Sequence, residues 1–372
     1  MKKRFCLALG MALCLAACDS KEEQAAKQEA PAAEVKAPAA EEGLSKDPNK
    51  LLEGVELTNK GLREFYMDKP ADVIKEMNLI LINHESPEVR AYVYGRLTGL
   101  INFGKPTNMD IFVDHLKNEK DPKALAAGLS AFAGYAKYNL AVLDLARQNL
   151  NHEDSKVRFQ AALTLGKTRE SDVPGIYEET LKLFSHDDPE IRSIVCSLIP
   201  SQKKDNNAEV LPVLTKILNS NDPKDLKAHG RCLESVIEMW YSWPSFKQHD
   251  ENAYKETMKY FKKKPRTQDI PAWNGMGKLH WGYEDHPEWK EAAKFFKPEE
   301  LVKVMTDIAI DTSASFLART QALDVIAVHG TIKDLEKIQA KIGEKDYSVK
   351  GSLKGKIEKL QKKAAEAAEA AK

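Results

Sequence analysis

Apolar residues recur at every fourth position in several stretches of the chain. Val89, Val93 and Leu97 form one such set, Val157, Ala161 and Leu165 a second, and Ile191, Val195 and Ile199 a third. Ala318, Ala322 and Ile326, then Val349, Leu353 and Ile357, carry the pattern toward the C-terminus. Spacing by four places each set on one stripe of an α-helix. A capping signal precedes many of the stripes. Ser86-Pro87, Asp121-Pro122, Asp188-Pro189 and Asp222-Pro223 share one form, with Asp154-Ser155 among them. A short polar side chain accepts from the free N–H groups of a first helical turn, and proline suits the next position because its missing N–H leaves nothing unpaired. Each pair therefore starts a helix.

The second residues of these pairs fall at 87, 122, 155, 189 and 223, in steps of 33–35 residues. Second apolar runs follow, as "VPGIYEETLKLF" over 173–184 and "EVLPVLTKIL" over 209–218. The unit is helix, turn, helix. One such hairpin cannot bury its own apolar face, so neighbours must stack on it. The predicted fold is all-α: a solenoid of stacked helix pairs over 48–241, an irregular aromatic-rich insertion over 242–297, and further pairs over 298–363. "AAEAAEAAK" at 364–372 favours helix but has no apolar stripe to dock, and either continues the last helix or frays.

The stretch "EDSKVRFQAALTLGK" at 153–167 resembles the HEAT-repeat family in its short bacterial form, whose motif is an acidic turn, Val-Arg, small residues and Leu-Gly. "DDPEIRSIV" and "SPEVRAYV" match the first half of that motif. The resemblance covers about 83–240 well and extends to 45–82 and 298–360. It departs at "EKDPKALAAGLSAF", with Leu125 in the arginine position, and at "NDPKDLKAHGRCLESV", which keeps the cap and loses the arginine. It implies that the turn acid and the arginine link successive repeats, with Asp154 or Asp187 bonding Arg158, Arg192 or nearby backbone. Arg90, Arg158, Arg192 and Arg319 are on this reading structural rather than catalytic.

The N-terminus changes the picture. "MKKRFCLALGMALCLAACDS" opens with Lys2, Lys3 and Arg4 and continues in an apolar run of signal-peptide length, too short for a permanent span. Leu15-Ala16-Ala17-Cys18 resembles the lipobox of bacterial lipoprotein precursors. That implies removal of 1–17 and lipidation of Cys18, which anchors the chain to a membrane. Asp19 points weakly to the inner membrane. Residues 18–47, rich in Ala, Glu, Lys and Pro, cannot bury enough surface to order themselves and read as a tether. Cys196 and Cys232 then stand in an oxidising compartment, either paired or as two buried thiols.

Charge limits the partners. The chain carries 56 basic and 56 acidic residues, and residues 51–372 carry 48 of each. This balance offers no broad phosphate-binding footprint, and nucleic acid is not an expected partner. "KKKPR" at 262–266 reads as a solvated face. His84, His152 and His186 each lie three residues before a landmark, but packed helices stand too far apart for such a column to hold one metal. The expected role is to close the second helix near its negative end. His280, Glu284, Asp285 and His286 lie close in "LHWGYEDHPEW" without a defined catalytic or metal spacing. No catalytic residue, metal ligand or cofactor is assigned.

All five tryptophans, Trp240, Trp243, Trp273, Trp281 and Trp289, fall in one segment. Trp240 and Trp243 extend the helix from 223 and read as core. Trp273, Trp281 and Tyr283 lie among Gly, Pro and polar residues and are the candidate partner-binding rings. Loops inserted between repeats often emerge on a binding face, and the insertion is expected beside the repeat surface. The expected function is a non-catalytic interaction scaffold of the cell envelope for another envelope protein. A peptidoglycan- or glycan-binding module using these rings is the alternative, and an enzyme is the third reading.

Overall fold

A computed structural model describes residues 44–102, 109–203, 206–242, 249–264, 274–280, 282, 286–343 and 346–370. The chain divides into two units, Met1–Leu44 and Ser45–Lys372. The second is a helical body, with no strand among the described residues. Cys18 and the tether before residue 44 lie outside the described residues.

The body opens with α1 (Pro48–Leu51), α2 (Asn59–Tyr66) and α3 (Ala71–Leu81). Helix pairs follow: α4 (Pro87–Asn102) with α5 (Asp110–Lys117), α6 (Pro122–Phe132) with α7 (Leu140–Asn149), and α8 (Ser155–Lys167) with α9 (Ile176–Lys182). Next come α10 (Pro189–Gln202) with α11 (Asn207–Leu218), then α12 (Pro223–Leu226), α13 (His229–Glu238) and α14 (Glu251–Phe261). A 3-10 helix, Asn274–His280, and α15 (Pro287–Ala292) precede α16 (Pro298–Ile310), α17 (Phe316–His329), α18 (Ile332–Gln339) and α19 (Tyr347–Ala370). The last helix runs through residues 364–370 without fraying.

Four of the five predicted caps form, and at the fifth the Ser86 hydroxyl donates to the Glu88 carboxylate instead. Asp121 accepts from the N–H groups of Lys123 and Ala124, Asp154 from Lys156 and Val157, Asp188 from Glu190, and Asp222 from Lys224. Each apolar stripe is buried, from Val89, Val93 and Leu97 through to Val349, Leu353 and Ile357. The first helices of the pairs pack in chain order, α4 on α6, α6 on α8, α8 on α10 and α10 on α13. The glycine of the Leu-Gly pair has a reason in this packing. A side chain on Gly166 would collide with Leu198 of α10, so its absence lets α8 and α10 close on each other.

Two readings need correction. Asp222-Pro223 starts a helix of only four residues, and a turn at Lys227 and Ala228 separates it from α13. No helix runs from 223 to the tryptophans: α13 ends at Glu238, although Trp240 is fully buried beyond it. The acid that the arginines meet is also neither Asp154 nor Asp187. Asp154 bonds nearby backbone, as one alternative had it, in capping its own helix, and exposed Asp187 reaches the next unit through Lys224 rather than an arginine. Each arginine instead reaches the acid of the following unit: Arg158 Nε to Asp188 at 2.7 Å, Arg90 to both oxygens of Glu119 at 2.7 and 2.8 Å, Arg192 to Asp225 at 3.3 Å, and Arg319 to Asp346. Arg90 and Arg158 also each donate from Nη1 to two carbonyls of the turn before their own helix.

Cys196 and Cys232 form a disulfide that ties α10 to α13. It closes a loop with a sequence separation of 36. Replacing both cysteines by alanine is expected to cost about 3–4 kcal/mol, read as a lower urea midpoint.

Candidate interaction surfaces

The aromatic segment builds a core. Trp240 Nε1 donates to Thr257 Oγ1 of α14 at 3.0 Å. Its ring meets Tyr254 edge-on at 5.0 Å and Phe296 at 5.6 Å between centroids. Trp289, also fully buried, meets Tyr241 at 5.4 Å and Phe296 at 5.2 Å. His329 of α17 lies against Tyr241 and Phe296. These rings join α13, α14, α15 and α17 into one aromatic cluster, and edge-to-face pairs of this kind add stability beyond their buried area.

The segment does not lie wholly beside the body. The 3-10 helix Asn274–His280 packs between α13 and α17, with Met276 and Leu279 fully buried. Gly275 allows this, because a Cβ there would meet the backbone of Glu234 and Gly230 in α13. Lys278 bridges Glu234 and Glu238 of the same helix at 3.0 and 2.7 Å. His329 Nε2 bonds the Leu279 carbonyl at 2.7 Å. The interval between 223 and 318 thus holds a packed unit, in which a 3-10 helix stands where a first helix would.

The candidate rings Trp273, Trp281 and Tyr283 lie outside the described residues, as do Trp243, Glu284 and Asp285. Gly282, between two of the rings, takes a φ of +66°, a region open to glycine. His280 is held inside the packed unit, and burial pushes its ring below the ordinary histidine range against the opposing pull of Asp324. Among the described residues no three His, Cys, Asp or Glu side chains converge to hold a metal.

The histidine column closes the second helices, as expected, with His186 as a C-cap, and its rings also bond the turn that follows. His84, His152 and His186 lie in the turns after the second helices, and each Nδ1 accepts a backbone N–H two residues on, at 2.9–3.0 Å. Glu119 occupies the same register and accepts from Asp121 N–H at 2.9 Å. Burial works to raise the Glu119 carboxyl, but the Arg90 guanidinium and the backbone donors hold it below the ordinary carboxylate range.

Two kinds of surface remain for a partner. An open groove of about 440 Å³ crosses α6, α8 and α10, lined by Ala126, Ala127, Ser130, Phe159, Gln160 and Glu190. It exists because α6 presents small residues where its neighbours present large ones, a contrast visible in "ALAAGLSA" at 124–131. Exposed apolar side chains form the second kind. Ile111, Tyr138 and Leu140 surround the hydrogen bond from Asn139 to Asp110, and Phe316, Leu317 and Tyr347 mark the starts of α17 and α19. Sequence periodicity flags buried stripes, so it passes over both.

No protein-family model matches the chain, and no curated protein matches it. Among solved structures, one engineered protein is similar at 15% identity over 85% of this chain and 98% of its own, with a TM-score of 0.32. A second engineered protein shares 16% identity over 79% of this chain and 98% of its own, with a TM-score of 0.24. Likeness at those scores carries no argument, and the fold class rests on the helices themselves.

Proposed function

We propose that this chain is a lipid-anchored protein of the bacterial cell envelope, whose body is a HEAT-like solenoid serving as a non-catalytic scaffold for another envelope protein. The observation that carries the reading is the repeated joint. Capped first helices recur near the period of the sequence, and where Arg90, Arg158, Arg192 or Arg319 stands in a first helix it meets an acid of the next unit, with Arg90 and Arg158 also bonded to the turn before. Such joints propagate a stack, and a stack offers many shallow contacts to an extended partner. The groove across three first helices suits that use, and Trp273, Trp281 and Tyr283 remain the proposed anchors on the sequence reading alone. The leader ending in Cys18 supports the membrane anchor, and the Cys196–Cys232 disulfide suits an oxidising compartment.

The test uses cells carrying the wild-type chain or Cys18→Ser. The wild type is expected in the membrane fraction with palmitate label, and the variant in the soluble fraction without it. Crosslinking on intact cells is expected to join the wild-type body to a discrete protein. Palmitate uptake by Cys18→Ser overturns the anchor. Saturable retention on purified peptidoglycan without any protein crosslink replaces the scaffold by the glycan-binding reading.

A further inference from the structure

Six turns of the body share one hydrogen bond. A side chain at a fixed register accepts the backbone N–H two residues on, immediately before a first helix. The acceptors are Ser45 Oγ at 3.3 Å, His84 Nδ1 at 2.9 Å, Glu119 Oε1 at 2.9 Å, His152 Nδ1 at 3.0 Å, His186 Nδ1 at 3.0 Å and Ser220 Oγ at 3.1 Å. A backbone amide can only donate, so each of the three rings presents its lone pair at Nδ1 and carries its proton at Nε2. Serine and glutamate keep their acceptor at every pH near neutrality. Three of the six joints use the one side chain whose acceptor disappears in mild acid.

We propose that His84, His152 and His186 make these joints acid-releasable: protonation turns each Nδ1 into a donor facing another donor, and the three turns loosen together as pH falls from about 7 to about 5. The neighbouring charges are these. His84 has Glu85 and Arg90 on its own turn, with Glu119 and Asp121 across the joint. His152 has Glu153, Asp154 and Arg158, with Asp188 across it. His186 has Asp187, Asp188 and Arg192, with Arg158 before it and Lys224 and Asp225 after it. At His84, burial lowers the ring's proton affinity, Glu85 opposes this, and Arg90 adds to it.

The sign follows from linkage. A ring that must stay neutral to fold binds more protons in the unfolded chain. At His84, whose ring burial holds below the ordinary histidine range, the contribution is complete above the unfolded value of about 6.5 and is lost as pH falls through the folded value, by up to about tenfold in the folding constant per pH unit. The carboxylates of the same joints act in a separate window. Burial works to raise the Asp188 carboxyl, but its cap and Arg158 hold it below the ordinary range, as Arg90 does Glu119. They release their stability only below about pH 4.

The experiment compares urea midpoints of the full-length chain at pH 7.5 and 5.5. Serine already stands in this register at 45 and 220, so the variant His84→Ser/His152→Ser/His186→Ser keeps an acceptor in every joint. The wild-type midpoint is expected to fall between the two pH values, and that of the triple variant to hold. His280→Asn, which removes another ring held low by burial, is expected to leave most of the fall in place. Equal falls in the wild type and the triple variant overturn the proposal, as does loss of the fall in His280→Asn alone. If the triple variant folds poorly, nitrogen-15 shifts of the wild-type rings decide. A proton at Nε2 in all three at pH 7.5 supports the proposal, and a proton at Nδ1 in any of them overturns it for that joint.

Discussion

Val195→Asp is expected to abolish cooperative folding of the helical body. Val195 has no exposed surface, and its helix α10 packs against α8 on one side and α13 on the other. The valine contributes about 1.5–3 kcal/mol by burial. A carboxylate in its place would be shut off from water, and desolvation adds several kcal/mol. Together these approach the whole stability of a typical domain, about 5–15 kcal/mol. Far-ultraviolet circular dichroism and urea titration read the outcome. A purified variant with the wild-type helical signal and a single transition near the wild-type midpoint refutes the packing of α10. Val195→Ala separates charge from volume and is expected to cost about 2 kcal/mol while leaving the transition cooperative.

The same position shows why so much of the fold was legible. A buried stripe must repeat with the helix, and a helix start must satisfy its free N–H groups, so both leave marks at fixed spacing in the chain. Val195, Ala161 and Ala322 are core for the reason their spacing implies. Joint chemistry is less legible because it depends on which side chain reaches which turn. Arg158 is long enough to pass its own turn and meet Asp188, while Asp154, nearer in sequence, is held by its cap. The residue two before each helix-starting Ser or Asp has a shared property rather than a shared identity: Ser45, His84, Glu119, His152, His186 and Ser220 all accept hydrogen bonds.

The 3-10 helix at Asn274–His280 escaped sequence reasoning for a different cause. A helix of this kind has neither the length nor the four-residue spacing that marks an apolar stripe, and its packing depends on Gly275 meeting the backbone of α13. Met276 and Leu279 are three apart, a separation that fits one turn of a 3-10 helix. Read as part of a loop, "NGMGKLH" resembles a flexible linker. Packed, it continues contact from α13 to α17, and Lys278 fixes its register by bridging Glu234 and Glu238.

That distinction gives Trp240→Ala its expected effect. If the aromatic cluster joins α13, α14 and α17, removing its central ring must weaken the whole body. The ring is fully buried, and the cavity it leaves is lined by Tyr241, Tyr254 and Phe296. Large aromatic-to-alanine changes in such places cost about 3–5 kcal/mol. Thr257 Oγ1 would also lose the indole donor, while its own bond to the Ala253 carbonyl at 2.8 Å remains. Urea denaturation is expected to show a midpoint lowered in proportion, with circular dichroism at pH 7.5 still helical. Trp240→Phe keeps most of the volume and loses only the indole bond, so about 1–2 kcal/mol is expected. A loss below about 1 kcal/mol for Trp240→Ala shows that the segment packs independently of the helices around it. In that case the aromatic rings are a separable module.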